Sequence, residues 1–292
     1  MRIAYLALST VALAVGAVAA PTARSKALHL VVYGDSFSDT GNTFKLSNGT
    51  WPVSAYYKGH FSNGPVWQEI AAQELGVTRT NEAFGGATTD NKLVQGFSGP
   101  TSNIPVPGVE QQAAIFAASV HGKTTARPYE VDAIWAGAND WFFNSNLTGD
   151  DVAKNIMVNV ETLVNDGART IIIFNQPPLN RIPFFQGAAA EQALFATITT
   201  DFNAAIVKRA AAFHHPSTTV HVFDVNTVYK HQVFPKFTAS DASNACLNST
   251  SLVACTDPDN HIYWDVFHPT RVVHKIIGTA FAEFVRKNVP GY

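Results

Sequence analysis

Residues 28–42 read LHLVVYGDSFSDTGN, an apolar run followed at once by a turn rich in Gly, Ser, Asp and Asn. The run 28–33 predicts a β-strand, and its continuous apolar character is typical of a strand covered on both faces of a sheet. The residues after it predict a tight turn. Ser36 is therefore expected just beyond the end of a buried strand, on a turn that can present its hydroxyl group to a ligand.

Four further segments repeat this apolar strand pattern, and longer helical patterns alternate with them. The predicted strands cover 28–33, 79–83, 131–136, 169–175 and 219–225. The predicted helices cover 64–75, 150–166 and 188–213, and a last helix begins near Pro269. This alternation predicts an α/β fold in which helices cover both faces of a parallel sheet. Ligands of such sheets bind at the carboxyl ends of the strands, where Ser36 is expected.

The composition is that of a globular chain, because 46% of the 292 residues are hydrophobic and 14% are charged. This is ample apolar material for a core, and no linker rich in Pro, Ser, Gly or charge divides the sequence. We therefore predict a single domain over residues 21–292. The formal net charge is −2 and Lys and Arg do not cluster, which argues against a nucleic acid partner and against attraction to an anionic membrane.

Residues 1–20 predict a secretory signal peptide rather than part of the fold. Arg2 precedes an apolar stretch that ends at Ala17-Val18-Ala19, an A-x-A cleavage pattern. The alternative is a transmembrane anchor, but the stretch is short for a span and ends at Pro21. We expect a secreted, extracellular protein without a stable membrane anchor.

Two other features of the sequence fit export. Cys246 and Cys255 are the two cysteines of the chain, and in an oxidising compartment we expect them to form a disulfide. Three N-x-S/T sequons make Asn48, Asn146 and Asn248 candidate glycosylation sites.

Two of the polar motifs in the sequence combine the residue types of a serine nucleophile and its base. They are 34–36 (GDS), after the first predicted strand, and 265–268 (DVFH), before the last predicted helix. A serine hydroxyl needs a base to remove its proton, and histidine is the usual one. The Asp265 carboxylate can accept the Nδ1 proton of His268 while Nε2 faces the hydroxyl oxygen of Ser36.

Two further motifs, 81–86 (NEAFGG) and 137–140 (GAND), also follow predicted strands and supply hydrogen-bond donors. Attack on an ester carbonyl develops an oxyanion, which preorganised donors must stabilise. The candidate donors are the backbone N–H of Ser36, the backbone N–H of Gly86 and the side-chain amide of Asn139.

Each candidate also has a purely structural interpretation. Ser36 could only stabilise its turn, and the Gly85-Gly86 pair could be a close-packing turn. Asn139 could be only a loop cap, and His268 could cap the final helix. Four motifs in this order at one edge of the sheet favour the catalytic interpretation over these alternatives.

The sequence predicts neither a metal nor a cofactor. The remaining histidines have no metal-ligand spacing, and the Gly-rich phosphate-binding motifs are missing from the chain. We expect Asp35 and Asp39 to be structural and to bond nearby backbone groups.

The four motifs resemble the blocks of the GDSL esterases and lipases of the SGNH hydrolase superfamily, which is named for Ser, Gly, Asn and His in that order. The segments 59–69 (GHFSNGPVWQE), 175–183 (NQPPLNRIP) and 263–270 (YWDVFHPT) are similar to the family as well. The resemblance implies that Ser36 is the nucleophile, that His268 is its base with Asp265 as partner, and that Gly86 and Asn139 join Ser36 as oxyanion donors.

The resemblance also implies the fold, a flavodoxin-like three-layer α/β/α sandwich with a five-stranded parallel sheet. It argues against the α/β-hydrolase fold, as does the lack of a G-x-S-x-G nucleophile elbow. Phe37 stands where the family has a leucine. Gly85 beside Gly86 leaves the oxyanion glycine open by one position, and we choose Gly86 because it stands five residues after Asn81.

The substrate is the least determined part of the prediction. Aromatic residues crowd the expected rim, and Trp141 and Phe142, just after Asn139, are the predicted substrate contacts. The whole chain most resembles fungal acetylesterases of carbohydrate-esterase family sixteen, which implies acetyl esters of plant cell-wall oligosaccharides. A lipase or phospholipase acting on longer acyl chains is the close alternative. A non-catalytic carbohydrate-binding protein on the same scaffold is another.

Overall fold

The computed structural model describes residues 28–120, 127, 129–238 and 242–290. The predicted signal peptide, residues 1–20, lies outside the described residues. The prediction of a signal peptide followed by one domain therefore stays a prediction.

Five parallel strands form the central sheet: β1 His29–Gly34, β2 Thr78–Asn81, β5 Glu130–Trp135, β6 Thr170–Phe174 and β7 Thr219–Phe223. Their spatial order is β2-β1-β5-β6-β7. An antiparallel hairpin of β3 Gly96–Ser98 and β4 Ile104–Val106 lies outside this sheet. The order of the five strands is that of flavodoxin. The chain adds strands to one side of β1 and then, from β5 onward, to the other side, so the switch point of the sheet lies between β1 and β5.

Eight α-helices connect and cover the strands. They are α1 Asn42–Leu46, α2 Trp67–Leu75, α3 Val109–Ser119, α4 Ala138–Phe143, α5 Gly149–Asn165, α6 Ala189–Ala212, α7 Val225–Val228 and α8 Arg271–Asn288, counted over the described residues. Helices α2 and α8 pack together, as do α5 and α6. The three central strands β1, β5 and β6 are almost wholly buried between these helix pairs, so the predicted α/β/α fold with a five-stranded parallel sheet is confirmed.

Aromatic stacking fills the space between the sheet and helices α2 and α8. The rings of Trp135 and Phe174 stack with centroids 4.9 Å apart, and Phe281 of α8 stacks on Phe174 at 5.1 Å. Trp67 at the start of α2 meets Phe174 at 4.5 Å. Such rings bury large apolar areas, and this cluster fixes the helices against the strands whose ends carry polar motifs.

The predicted strands and long helices occur within a few residues of their expected positions. The segment 88–108, for which the sequence predicts a long loop, contains the β3–β4 hairpin. Each of its strands has three residues, too short for an alternating pattern to stand out. Helix α3 follows directly, and its buried face at Val109, Ala113 and Phe116 has helical spacing.

A disulfide joins Cys246 and Cys255, as expected. The side chains of the three sequon residues Asn48, Asn146 and Asn248 are exposed, which leaves their glycosylation a prediction. In the part of the chain that the structure describes, none of the helices combines the length and apolar character needed to cross a bilayer.

His274 of α8 is fully buried, and its Nδ1 lies 3.3 Å from the backbone N–H of Trp67, which donates to it. Burial, together with the charges of the neighbouring His268 and His60, lowers the pKa of His274 to about 3. The His274 imidazole is therefore neutral in the folded protein at pH values where it is protonated in the unfolded chain.

The free energy of unfolding should fall on acidification because of this one side chain. The unfolded chain binds a proton below pH 6.5 and the folded chain does not, so about 2 kcal/mol is lost between pH 7.5 and pH 5. Asn in H274N can accept the same hydrogen bond but does not titrate. The stability difference between wild type and H274N, measured by denaturant unfolding at both pH values, should change by about this amount. The control is H231N, a variant of the exposed His231. An equal change with pH in its stability difference from wild type would contradict the assignment of this effect to His274.

Candidate active site

The four sequence motifs meet at the carboxyl edge of the sheet, where the strand order reverses. Ser36 follows β1, Gly86 follows β2, and Asn139 lies in the first turn of α4 after β5. His268 comes from the segment before α8. Because β1 is paired with both β2 and β5, three of the four motifs leave neighbouring strands. A switch point of this kind is where open α/β sheets bind their ligands.

Ser36, His268 and Asp265 form one hydrogen-bonded chain. His268 Nε2 lies 2.8 Å from Ser36 Oγ, and His268 Nδ1 lies 2.7 Å from Asp265 Oδ2. An ionised carboxylate only accepts hydrogen bonds, so Nδ1 carries the proton and Nε2 is free to accept one from the serine hydroxyl. The structure therefore brings together the three residues that the sequence predicts to act together.

The Asp265 carboxylate is buried and accepts four hydrogen bonds. Its Oδ1 accepts the backbone N–H groups of Phe267 and His268, both at 2.7 Å. Its Oδ2 accepts His268 Nδ1–H and the hydroxyl of Tyr56, the latter at 2.6 Å. Burial by itself would raise the pKa of Asp265, but the charge of His268 and these hydrogen bonds outweigh it and hold the pKa below its ordinary value. The carboxylate thus stays ionised next to the imidazole.

The turn that carries Ser36 is held by two buried carboxyl groups. Asp35 accepts the N–H of Phe37 at 3.0 Å, and burial raises the pKa of Asp35 to about 7 against that hydrogen bond and the charge of His268. Asp39 accepts N–H groups from Gly41, Asn42 and Thr43. The expectation that Asp35 and Asp39 bond nearby backbone is confirmed.

The two adjacent glycines after β2 have different hydrogen bonds. The N–H of Gly85 donates to Asp39 Oδ2 at 2.9 Å and to Thr43 Oγ1 at 2.8 Å. The N–H groups of Gly86 and Ser36 have no acceptor among the described residues. Gly86 is therefore the glycine whose N–H remains available to a ligand.

The backbone around Gly86 leaves no room for a side chain. Gly86 has a φ of 86°, which favours glycine, and a Cβ there would overlap the carbonyl oxygen of Phe97 in β3. Asn139 Nδ2 donates to the carbonyl of Ala87 at 2.9 Å, which uses one of its two N–H bonds and fixes the amide beside this loop.

A cavity of about 300 Å³ opens beside Ser36 and also touches Gly86, Asn139 and His268. Most of its wall is apolar. The Phe and Trp residues of the wall are Phe37, Trp51, Phe61, Phe97, Phe142, Phe143 and Phe267. Leu179 and Ile182, in and beside the 3₁₀ turn Leu179–Arg181, close one side. Such a cavity suits the apolar part of a small ligand.

The structure contradicts the prediction that Trp141 contacts the substrate. Its side chain is 1% exposed and packs against Phe202 in the core. Residues three and four apart share a helix face, so Asn139, Phe142 and Phe143 of α4 face the cavity while Trp141 points to the opposite side. Phe142 lies in the cavity wall, as expected.

Sequence reasoning assigns no role to Trp51 and Phe97, which lie in the cavity wall. It places Tyr56 among the aromatic residues of the rim, whereas in the structure Tyr56 donates a hydrogen bond to Asp265. Nothing in their local sequence marks Trp51 or Phe97, because each is brought to the cavity by an irregular loop or a very short strand.

Within the described residues, one group of side chains has the spacing of a metal site: Cys255, Asp257 and His261. The sulfur of Cys255 is bonded to Cys246, so it is not a thiolate ligand. The group lies outside the cavity wall.

The chain is similar to several known esterases and to an acyltransferase. A bacterial protein, the phosphatidylcholine-sterol acyltransferase of Aeromonas hydrophila, is 27% identical over 88% of this chain and 89% of its own length. The acetylesterase of Thermothelomyces thermophilus is 25% identical over 87% of both chains. An inhibitor-bound aryl esterase from M. smegmatis superposes with a TM-score of 0.51 at 20% identity, over 89% of this chain and 99% of that one, which indicates a shared fold.

The family model of the GDSL-like lipases and acylhydrolases matches residues 30–281, which include all four motifs. The chain belongs to the GDSL-like lipase/acylhydrolase family and is a carboxylic ester hydrolase.

Proposed function

We propose that this protein is a secreted serine esterase that works through an acyl-enzyme, with Ser36 as nucleophile, His268 as general base and acid, and Asp265 as its partner. The observation that carries the proposal is the chain of hydrogen bonds from Ser36 through His268 to Asp265, ending at an apolar cavity. No metal or cofactor has a part in this mechanism.

The geometry supports each step of acyl transfer. His268 Nε2 takes the proton of the Ser36 hydroxyl as Oγ attacks the ester carbonyl carbon. The carbonyl oxygen becomes an oxyanion, which accepts hydrogen bonds from the N–H groups of Ser36 and Gly86 and from the Asn139 amide. His268 then gives its proton to the leaving alcohol, and the acyl group stays on Ser36. Water, activated by the same imidazole, releases the acid.

For the substrate, we propose acetyl esters of plant cell-wall oligosaccharides. The similarity to an acetylesterase supports this choice, and the aromatic faces of Trp51, Phe142 and Phe143 suit the apolar faces of sugar rings. The predicted signal peptide and the disulfide support secretion. Assignment to carbohydrate-esterase family sixteen belongs to the same proposal.

A second candidate substrate is an ester with a longer acyl chain, as in a lipase or phospholipase. The apolar wall of the cavity favours it, since burying each methylene is worth about 0.8 kcal/mol. The similarity to an acyltransferase named for phosphatidylcholine points the same way.

Removal of the Asn139 amide should lower kcat about 10²- to 10³-fold, because one of three oxyanion donors is lost. The comparison uses N139A with p-nitrophenyl acetate and takes N165A, at the exposed end of α5, as the matched control. An unchanged kcat in N139A would remove Asn139 from the oxyanion site.

A fluorophosphonate probe should label wild type and N165A but not S36A, and failure to label wild type would favour the non-catalytic carbohydrate-binding alternative.

The acyl-length profile separates the two substrates. With p-nitrophenyl esters from acetate to octanoate, we expect the highest kcat/KM for acetate, and we expect acetylated xylo-oligosaccharides to be deacetylated. A chain that enters the apolar cavity should instead raise kcat/KM up to about fourfold for each added methylene. Such a rise, together with inactivity on the xylo-oligosaccharides, would replace the acetylesterase by the lipase.

A further inference from the structure

Tyr56 makes a contact with the acid–base pair that the mechanism above does not use. Its phenol hydroxyl donates to Asp265 Oδ2 at 2.6 Å, and the same oxygen lies 2.7 Å from His268 Nδ1. Tyr56 is separated from Asp265 by 209 residues in the chain. This bond therefore ties the segment 51–63 to the segment that carries the imidazole.

The Tyr56 ring is held on several sides, which fixes the direction of its hydroxyl. Its centroid lies 6.5 Å from that of Trp51, 6.2 Å from Phe61 and 6.4 Å from Trp264. Phe61 in turn contacts the His268 ring at 5.2 Å. Packing of the ring thus places the phenol oxygen beside the Asp265 carboxylate.

The buried cluster next to Tyr56 includes the disulfide. Cys246, Leu247 and Trp264 pack together, and Tyr56 packs against them. The backbone of Leu247 bonds the carbonyl of Trp264, the residue before Asp265, at 2.6 Å. Both the carboxylate and its phenol partner therefore rest on the same disulfide-linked support.

The Tyr56 bond should matter both for position and for charge. Without it, Asp265 Oδ2 keeps only His268 as a partner, while Oδ1 remains bound to two backbone N–H groups. A buried carboxylate oxygen that loses a donor is less well stabilised and attracts the remaining proton more strongly. The imidazole would then keep its proton to higher pH and act as a base less readily.

We propose that Tyr56 is a positioning residue for the esterase reaction. Its hydroxyl holds the Asp265 carboxylate in line with His268, and its hydrogen bond weakens the attraction of that carboxylate for the imidazole proton. This role rests on the proposed function, because it acts only through the assigned base. Tyr56 does not itself line the cavity, and its ring packs against two wall residues, Trp51 and Phe61, so loss of its hydroxyl should change kcat more than KM.

Two other titratable groups also face the Asp265–His268 pair, and both are unchanged in the variants compared. Asp35, on the turn after β1, and His274, in α8, both interact with the charge of His268. Neither contacts the Tyr56 hydroxyl through a hydrogen bond. A change in the pH profile on loss of that hydroxyl is therefore assigned to the Tyr56–Asp265 contact.

The test compares Y56F with Y57F, which removes a neighbouring hydroxyl that has no hydrogen bond among the described residues. For Y56F we expect kcat to fall about tenfold with KM nearly unchanged, and the acid limb of kcat/KM to move to higher pH by about half a unit to one unit. Y57F should match wild type. A Y56F enzyme with the wild-type pH profile and kcat would overturn the proposal.

A double-mutant cycle with D265N separates positioning from a general loss of structure. In the D265N background the charged acceptor is gone, so adding Y56F should change kcat less than twofold, whereas independent structural damage would again give about tenfold. If Y56F does not fold, 3-fluorotyrosine at position 56 keeps the hydroxyl as a stronger donor, and the acid limb should move to lower pH. An unmoved limb would then overturn the proposal. Absence of esterase activity in wild type would instead reject the proposed function.

Discussion

Burial of the Asp265 carboxylate is the constraint on which the site depends. A buried anion is costly unless donors surround it, and here two backbone N–H groups, an imidazole and a phenol supply them. These donors fix the backbone of 265–268, the plane of the His268 ring and the loop of Tyr56 together. The solvation of one charge thereby sets the direction in which the imidazole nitrogen faces Ser36.

The opposite half of the site is organised around Asp39 in a similar way. Its carboxyl group holds the turn after β1 through Gly41, Asn42 and Thr43, and it also accepts the N–H of Gly85. The turn that carries Ser36 and the glycine loop after β2 are thus fixed to each other by one side chain. This arrangement occupies the N–H of Gly85, while the N–H of Gly86 has no acceptor among the described residues, which supports Gly86 as the oxyanion donor of the proposed mechanism.

Sequence reasoning predicts best what rests on long patterns and on adjacent residues. The strands are continuous apolar runs, and Asp265 and His268 are three residues apart on one segment, so both could be predicted. It fails where a side chain's direction depends on where a short helix begins. Nearness to Asn139 in the sequence predicts that Trp141 contacts the substrate, but two residues along a helix turn its side chain about 200° away. The contact of Tyr56 with Asp265 joins distant loops, and no local pattern encodes it.

The β3–β4 hairpin has a consequence for how this protein can change its preference for ligands. Phe97 forms part of the cavity wall, and its carbonyl oxygen lies where a Cβ of Gly86 would be. Remodelling of that hairpin therefore displaces the glycine backbone as well. Leu179 and Ile182, on the other side, have no such backbone contact with Gly86. Evolutionary or engineered diversification is accordingly freer on the 179–182 side, while the hairpin is constrained to vary through side chains alone.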